Sequence, residues 1–313
     1  MTHIAVIGEV MIELSPMPSL SDPAHEIKAL SFAGDTYNTA IYLARLGTPV
    51  DYATILGDDS YSDQIIERMR CESLGSRMTH RLTNRVPGLY LIRNSSDGER
   101  EFLYWRDQAP AKELFSDPQI SEQLYTQLRS CEVIYLSGIT LAIIAPEARD
   151  RLLHYIKALK AGGATIAFDG NYRPKLWRSQ AEAQTVIAAM MRYVDIALMT
   201  LDDERLLWGE ASIDKCQRRY TRVPELIFKR GTESTVLICN GHRETVPVPE
   251  VKTVVDTTGA GDTFNAGYLS ARFTGKTPLQ AAELGTCCAQ IVIQHQGGVI
   301  DRSVFRKKLP NGF

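Results

Sequence analysis

Cysteine is sparse in this chain and carries no pattern. The six, at 71, 131, 216, 239, 287 and 288, include no C-x-x-C pair. That removes zinc ribbons and dithiol redox motifs, and a 313-residue chain has no need of disulfide staples. Free thiols in a reducing compartment are the expectation. Long apolar runs are also missing: nothing approaches the roughly 20 residues that span a bilayer. The start, Met1 to Glu9, lacks a basic segment and has too short an apolar run for a signal peptide, which points to the cytoplasm. Neither sign of charge dominates, with 35 Lys and Arg against 37 Asp and Glu. Nucleic acid and anionic membrane are therefore not expected as partners. The six histidines show no H-x-x-x-H spacing, which argues against a histidine metal centre or a phosphohistidine relay. G-x-x-x-x-G-K followed by Ser or Thr is absent too, so there is no P-loop.

What is present is a large core in a water-soluble composition, 44% hydrophobic with mean hydropathy -0.16. Short runs dense in Val, Ile and Leu lie at 3–7, 50–55, 133–136, 165–169, 196–199, 226–229 and 236–239. They lack clean alternation, as strands buried on both faces should. Helical patterns fill the gaps, such as 36–46 closed by Gly47 and 146–161 closed by Gly162-Gly163. Alternation of this kind predicts an α/β fold with a doubly wound, mostly parallel sheet flanked by helices. One segment departs from it. Residues 88–93 and 100–106 flank the turn composition Asn94-Ser95-Ser96-Asp97-Gly98, predicting an antiparallel hairpin outside the main sheet. Period two puts Phe102, Tyr104 and Arg106 on one of its faces, and Leu103 and Trp105 on the other. We expect one domain over 1–313 carrying a small β-sheet lid, with lid strands about 11–15, 27–33 and 88–106. Residues 241–254 read as a hairpin or edge strand.

Chemistry concentrates in Asp256-Thr257-Thr258-Gly259-Ala260-Gly261-Asp262-Thr263-Phe264. Phe264, Gly267, Tyr268 and Ala271 follow at helical spacing, so the glycine turn falls at a helix N-terminus. Free N–H groups and the helix dipole there attract an anion, and Gly259 and Gly261 let the main chain approach a phosphate. Asp262 lies in the first turn. It suits a general base taking the proton of a hydroxyl that attacks a γ-phosphate; a plain helix cap is the structural alternative.

This segment resembles the C-terminal signature of the ribokinase-like (pfkB) carbohydrate kinases. Phe32-Ala33-Gly34-Asp35-Thr36-Tyr37-Asn38-Thr39-Ala40 resembles the family's N-terminal signature, and Gly57-Asp58-Asp59 its following loop. The resemblance runs in order from Ile4 to about Gly298. It implies ATP and Mg²⁺ as cofactors and allows a monovalent cation. It also implies that the Gly259-Ala260-Gly261 backbone forms an anion hole and that Asp262 is the base. The stretches 8–14, 87–90, 104–106, 136–139, 169–177 and 200–204 are similar, more narrowly, to the 2-keto-3-deoxygluconate kinases of that family. These phosphorylate the C6 hydroxyl of a sugar acid in sugar-acid catabolism.

Arginine offers a planar donor fork suited to a sugar acid's carboxylate. By resemblance, Gly34, Asn38, Tyr90, Tyr104, Arg106 and Arg173 contact that substrate, with Arg173 also near the transferring phosphate. On spacing alone, the tyrosines could equally be packing residues and Arg106 an edge charge. Asn171, Lys229, Gly231 and Ser234 are implied on the nucleotide side, and apolar residues around 288–293 near the adenine. The family's Asn-x-x-Glu metal motif is altered, with Leu201 in place of Asn. Glu204 is left to act on the metal through water. Near Gly298, where some relatives place an acid, this chain has none. Another family kinase, such as a fructokinase or a 2-keto-3-deoxygalactonate kinase, and a non-catalytic binding regulator remain as alternatives. Leu103 and Trp105 together suggest a homo-oligomer, a dimer through the lid.

Overall fold

The structure is a computed structural model and describes residues 2–17, 25–94, 100–209 and 212–310. In chain order the strands are β1 (Ile4–Ile7), β2 (Met11–Pro16), β3 (Lys28–Ala33), β4 (Val50–Leu56), β5 (Thr79–Arg81), β6 (Leu89–Asn94) and β7 (Arg100–Trp105). They continue as β8 (Val133–Ser137), β9 (Thr165–Asp169), β10 (Ile196–Thr200), β11 (Glu225–Lys229), β12 (Thr235–Cys239) and β13 (His242–Val246). The helices are α1 (Asp35–Arg45), α2 (Ser60–Cys71), α3 (Pro118–Leu128), α4 (Gly138–Ile143), α5 (Pro146–Ala161) and α6 (Gln180–Met190). After them come α7 (Leu201–Trp208), α8 (Ile213–Arg219), α9 (Ala260–Phe273), α10 (Pro278–Val292) and α11 (Arg302–Lys308).

Nine strands form one sheet in the order β13-β12-β11-β10-β9-β8-β1-β4-β5. Pairing is parallel from β5 through β11, and antiparallel only where β12 and β13 join. The seven expected strands all occur. Successive residues feed opposite cores: Ile4 and Val6 pack among α1, α9 and α10, while Ala5 and Ile7 pack against the layer on the other face. Both faces of the central strands are therefore apolar, which is why the sequence shows runs and not alternation. One strand of the main sheet, the three-residue β5, has no counterpart among the sequence expectations, whereas β13 is the edge strand expected within 241–254, exposed along most of its length.

A separate four-stranded sheet has the order β3-β2-β6-β7. Its turn segment 95–99 lies outside the described residues. Register aligns Ser31, Glu13, Tyr90 and Tyr104 across one face. On the opposite face it aligns Leu30, Leu14, Leu91 and Leu103, with Phe32, Ile12, Leu89 and Trp105 in the next row.

Helix α9, which carries Asp262, is held by close packing on α10. A Cβ on Gly267 would lie 2.9 Å from the Gly285 Cα, and one on Gly285 would lie 2.8 Å from the Phe264 carbonyl oxygen. Helix propensity alone favours alanine at Gly267 by about 1 kcal/mol. Overpacking against an unyielding backbone costs about 1–3 kcal/mol, so it wins. Gly267→Ala is expected to lower stability by on the order of 1 kcal/mol, read as a lower denaturant midpoint with an unchanged m-value.

Candidate active site

The parallel strands end along one edge of the sheet, where ligands bind in open α/β folds. There an open cavity of about 1960 Å³ is lined by Glu9 after β1, Asp169 ending β9, Thr200 ending β10 and Lys229 ending β11. Its far wall is the small sheet, with Tyr90, Phe102, Tyr104 and Arg106 facing in. A single small-ligand pocket is commonly about 300–1,000 Å³, so this cavity has room for two ligands side by side.

Residues 256–262 close one end. The buried Asp256 carboxylate accepts the Thr258 N–H through Oδ1 at 2.8 Å and the Gly297 N–H through Oδ2 at 2.7 Å. Gly259 caps α9 in the left-handed region, φ 74°. A Cβ there would sit 2.8 Å from Gly298 Cα, so the turn requires glycine on both counts. Ala260 donates its N–H to the Thr257 carbonyl at 3.2 Å, and Thr263 donates to Gly259. Within 259–261, Ala260 is thus already committed in this state. The N–H groups of Gly259 and Gly261 have no hydrogen-bond partner among the described residues, and both glycines line the cavity.

Asp262 follows directly. Asn38 Nδ2 donates to its Oδ2 at 2.8 Å, and Thr39 Oγ1 donates to its carbonyl at 3.2 Å. This joins α1 to α9, and so the two signature segments. Asp262 lines the cavity wall, partly exposed, yet burial and the nearby Asp35 carboxylate raise it to about 8 against the pull of Asn38. Asp35 is itself raised by burial, while accepting from Asn171 Nδ2 at 2.9 Å.

The remaining expected residues divide. Gly34, Asn38, Tyr90, Tyr104, Arg106, Asn171, Arg173, Lys229 and 259–262 all line the cavity. Gly34 leaves no room for a side chain, since a Cβ would meet the Glu9 carbonyl oxygen at 2.3 Å. Arg106 donates through Nη2 to the buried Glu9 carboxylate and lies 5.6 Å above the Tyr104 ring. Burial raises Glu9 in spite of that partner. Tyr90 donates its hydroxyl to Glu13, which also accepts from Ser31 Oγ at 2.9 Å. Arg173 reaches Asp203 at 3.2 Å.

Gly231 and Ser234 lie in the exposed turn after β11, outside the cavity lining. Residues 288–293, at the end of α10, are not part of the lining, whereas Val254 and Val255 are, the latter donating its N–H to the Ile293 carbonyl at 2.8 Å. Glu204 also faces away. It is buried among Tyr220, whose hydroxyl donates at 3.0 Å, Arg219 at 3.3 Å and the Cys216 thiol at 3.7 Å. Successive helix positions are about 100° apart, so its neighbour Asp203 is the residue that α7 turns toward the cavity. Glu9, Asp35, Asp169 and Asp203 are cavity acids not singled out by pattern. Of these, Asp169 had a usable signal in its place at a strand's carboxyl end.

The acids here are oxygen donors spread around the wall, with no converging triad. They suit Mg²⁺ held mainly by phosphates and water. Among the described residues, His3, Asp51 and Cys131 form the one His/Cys/Asp/Glu cluster with metal-ligand spacing. It lies at the opposite edge of the sheet, and Arg77 already holds its Asp51 at 2.5 Å.

This site and fold define a carbohydrate kinase: the sequence model of the pfkB family carbohydrate kinases matches residues 1–303, and the chain belongs to that family. Among curated proteins it is 42% identical to a 2-dehydro-3-deoxygluconokinase of Escherichia coli K12, with 96% of this chain and 97% of that protein aligned. It is 40% identical to the 2-dehydro-3-deoxygluconokinase of Dickeya dadantii, over 95% of this chain and 96% of the relative. Among solved structures, the 2-dehydro-3-deoxygluconokinase of Thermotoga maritima superposes with TM-score 0.81 at 22% identity, covering 98% of this chain and 99% of that one. An E. coli protein described as Ribokinase II, in complex with ATP and Mg²⁺, gives TM-score 0.83 at 20% identity, covering 98% and 99%. No helix among the described residues is long and apolar enough to cross a membrane.

Glu204 yields a stability test. Burial raises it to about 7 from an ordinary value of 4.5. The folded state therefore holds a proton that the unfolded chain has lost, and stability falls as pH rises from about 4.5 through about 7. The full effect is on the order of 3 kcal/mol. In Glu204→Gln that slope should be missing, so the variant gains stability over the parent at pH 8 but not at pH 4.5; denaturant titrations across the range measure the difference.

Proposed function

We propose that the chain phosphorylates 2-keto-3-deoxygluconate at its C6 hydroxyl with ATP, giving 2-keto-3-deoxy-6-phosphogluconate, with Asp262 as general base. The observation that carries this reading is one cavity holding both Asp262, at the helix α9 N-terminus, and the Tyr90, Tyr104, Arg106 and Arg173 wall. The relatives near 40% identity point to the same substrate.

In this mechanism Arg106, braced on the Tyr104 ring, receives the sugar acid's carboxylate, which shares the guanidinium with Glu9. Tyr90, its proton given to Glu13, accepts from a sugar hydroxyl. The far end of the sugar places O6 against Asp262. As O6 bonds to the γ-phosphorus, the bond from that phosphorus to the bridging oxygen breaks, ADP leaves, and the O6 proton passes to Asp262. Gly259 and Gly261 offer N–H groups to the phosphoryl oxygens, and Arg173 stands between acceptor and phosphate. Asp203 is placed to orient water around a metal, taking the part expected of Glu204. Mg²⁺, when bound, offsets the charge of the triphosphate.

Assembly belongs to the same proposal. Leu30 and Trp105 are 43% and 58% exposed on the small-sheet face opposite the cavity, in two cross-strand rows of large apolar side chains. A patch of that kind fits a second copy of the chain, self-complementary about a two-fold axis.

ADP release measured over a panel of sugars and sugar acids should show 2-keto-3-deoxygluconate as the best acceptor. Preference for fructose, or for the galactonate epimer, would sink the substrate and leave the kinase class standing. Because Asp262 must lose a proton held to about 8, kcat/KM should climb with pH through that value. Asp262→Asn should lose about 10²–10⁴-fold in turnover and abolish that limb, with nucleotide binding kept. Light scattering should give a dimer that Leu91→Asp converts to monomer; a monomeric parent at micromolar concentration refutes the interface.

A further inference from the structure

Lys229 ends β11 in the cavity wall, and its ammonium has three N–H donors. Two are committed, one to Asp169 Oδ2 at 3.0 Å and one to Asn265 Oδ1 at 2.9 Å. The third has no recorded partner among the described residues. A Cβ built on Gly261 would lie 3.7 Å from Lys229 Nζ, so this donor borders the space onto which the first N–H groups of α9 open.

Behind the lysine is a saturated polar network. Asn265 Nδ2 donates to the Tyr135 hydroxyl at 3.0 Å and to Asp169 Oδ2 at 2.6 Å. Asp169 Oδ1 accepts the Asn171 backbone N–H at 3.1 Å. Reversing the Asn265 amide would set its NH₂ against the ammonium and its oxygen against the carboxylate, so charge dictates its orientation. Asp169, Asn265 and Tyr135 are 4%, 0% and 1% exposed. A buried ion pair is a poor way to add stability, since apolar side chains of equal volume often do as well. A satisfied network in low dielectric does something else: it holds a charge in one place.

We propose that Lys229 is a catalytic residue whose third N–H bonds the phosphoryl group in flight, and that Asn265 is the positioning residue that aims it, itself held by Asp169 and Tyr135. This rests on the cavity being the phosphotransfer site with the 259–261 turn at the phosphate, as proposed above. The γ-phosphoryl group moves from ATP to the acceptor oxygen, ADP leaves with the bridging oxygen, and the acceptor proton goes to Asp262.

A double-mutant cycle tests it, run with whichever acceptor proves best in the panel, so that a wrong sugar acid leaves the test intact. Lys229→Met should lower kcat by about 10²–10³-fold, as loss of one transition-state donor does, with KM for ATP changed only a few-fold. Lys229→Arg should recover part of the loss. Asn265→Ser should lower kcat by roughly tenfold in the parent and by almost nothing in the Lys229→Met background, because its effect passes through the lysine. Should Asn265→Ser fail to fold, Tyr135→Phe stands in, with a loss of a few-fold that likewise vanishes in that background. Multiplying losses in the double variant would overturn the positioning role. A Lys229→Met enzyme that changes only KM for ATP would overturn the catalytic one. Retained turnover in Asp262→Asn would remove the base and leave Lys229 untouched.

Discussion

One carboxylate fixes the geometry on which the site depends. Asp256 takes a backbone N–H from its own turn and another from Gly297, clamping the entry of α9 to a loop more than thirty residues further on. With that clamp in place, Gly259 can press onto Gly298, and Asp262 comes within reach of Asn38. The proton transfer proposed for Asp262 needs alignment of this kind, since a misplacement of 1 Å can cost about two orders of magnitude in rate.

Around that fixed point the charged groups of the cavity stand mostly in pairs. Asp35, Asp169, Asp203 and Asp262 are each engaged by an amide, lysine or arginine. Arg106 and Glu9 stand where the small sheet meets the main one. Burial first, and the neighbouring carboxylates second, raise Asp262 and Asp35 above the ordinary range. A carboxylate raised in this way is, once ionised, a stronger base than an ordinary aspartate.

Much of this was legible in the sequence because the informative signals were local. Strands buried on both faces announce themselves as Val/Ile/Leu runs, and a glycine turn before a helical stripe places an anion site without any tertiary knowledge. The small sheet was readable from alternation at 100–106. What could not be read depended on rotation and on distant partners. α7 is only eight residues long, too short for periodicity to show that Asp203 and not Glu204 turns inward. The pairing of Arg106 with Glu9 spans 97 positions, and Tyr90 with Glu13 spans 77, so neither leaves a spacing to detect. Lys229 was visible as a strand-end cation, but Asn265 looked like one more residue of a helix until β8 and β9 came beside it. Gly231 and Ser234 show the converse: a turn composition that suits a nucleotide loop, set by the fold outside the cavity.

The two ends of the nine-stranded sheet carry a further consequence. A free edge strand is an open row of hydrogen-bonding groups that can recruit another chain. β5 closes one end with three residues, too few to template a partner. β13 closes the other with His242, Arg243 and Glu244 in succession, and Arg243 is tied at 2.5 Å to Asp214. The main sheet is thereby sealed against growth by strand addition, at one end through brevity and at the other through charge. Any contact between copies would then fall on surfaces that do not extend the sheet.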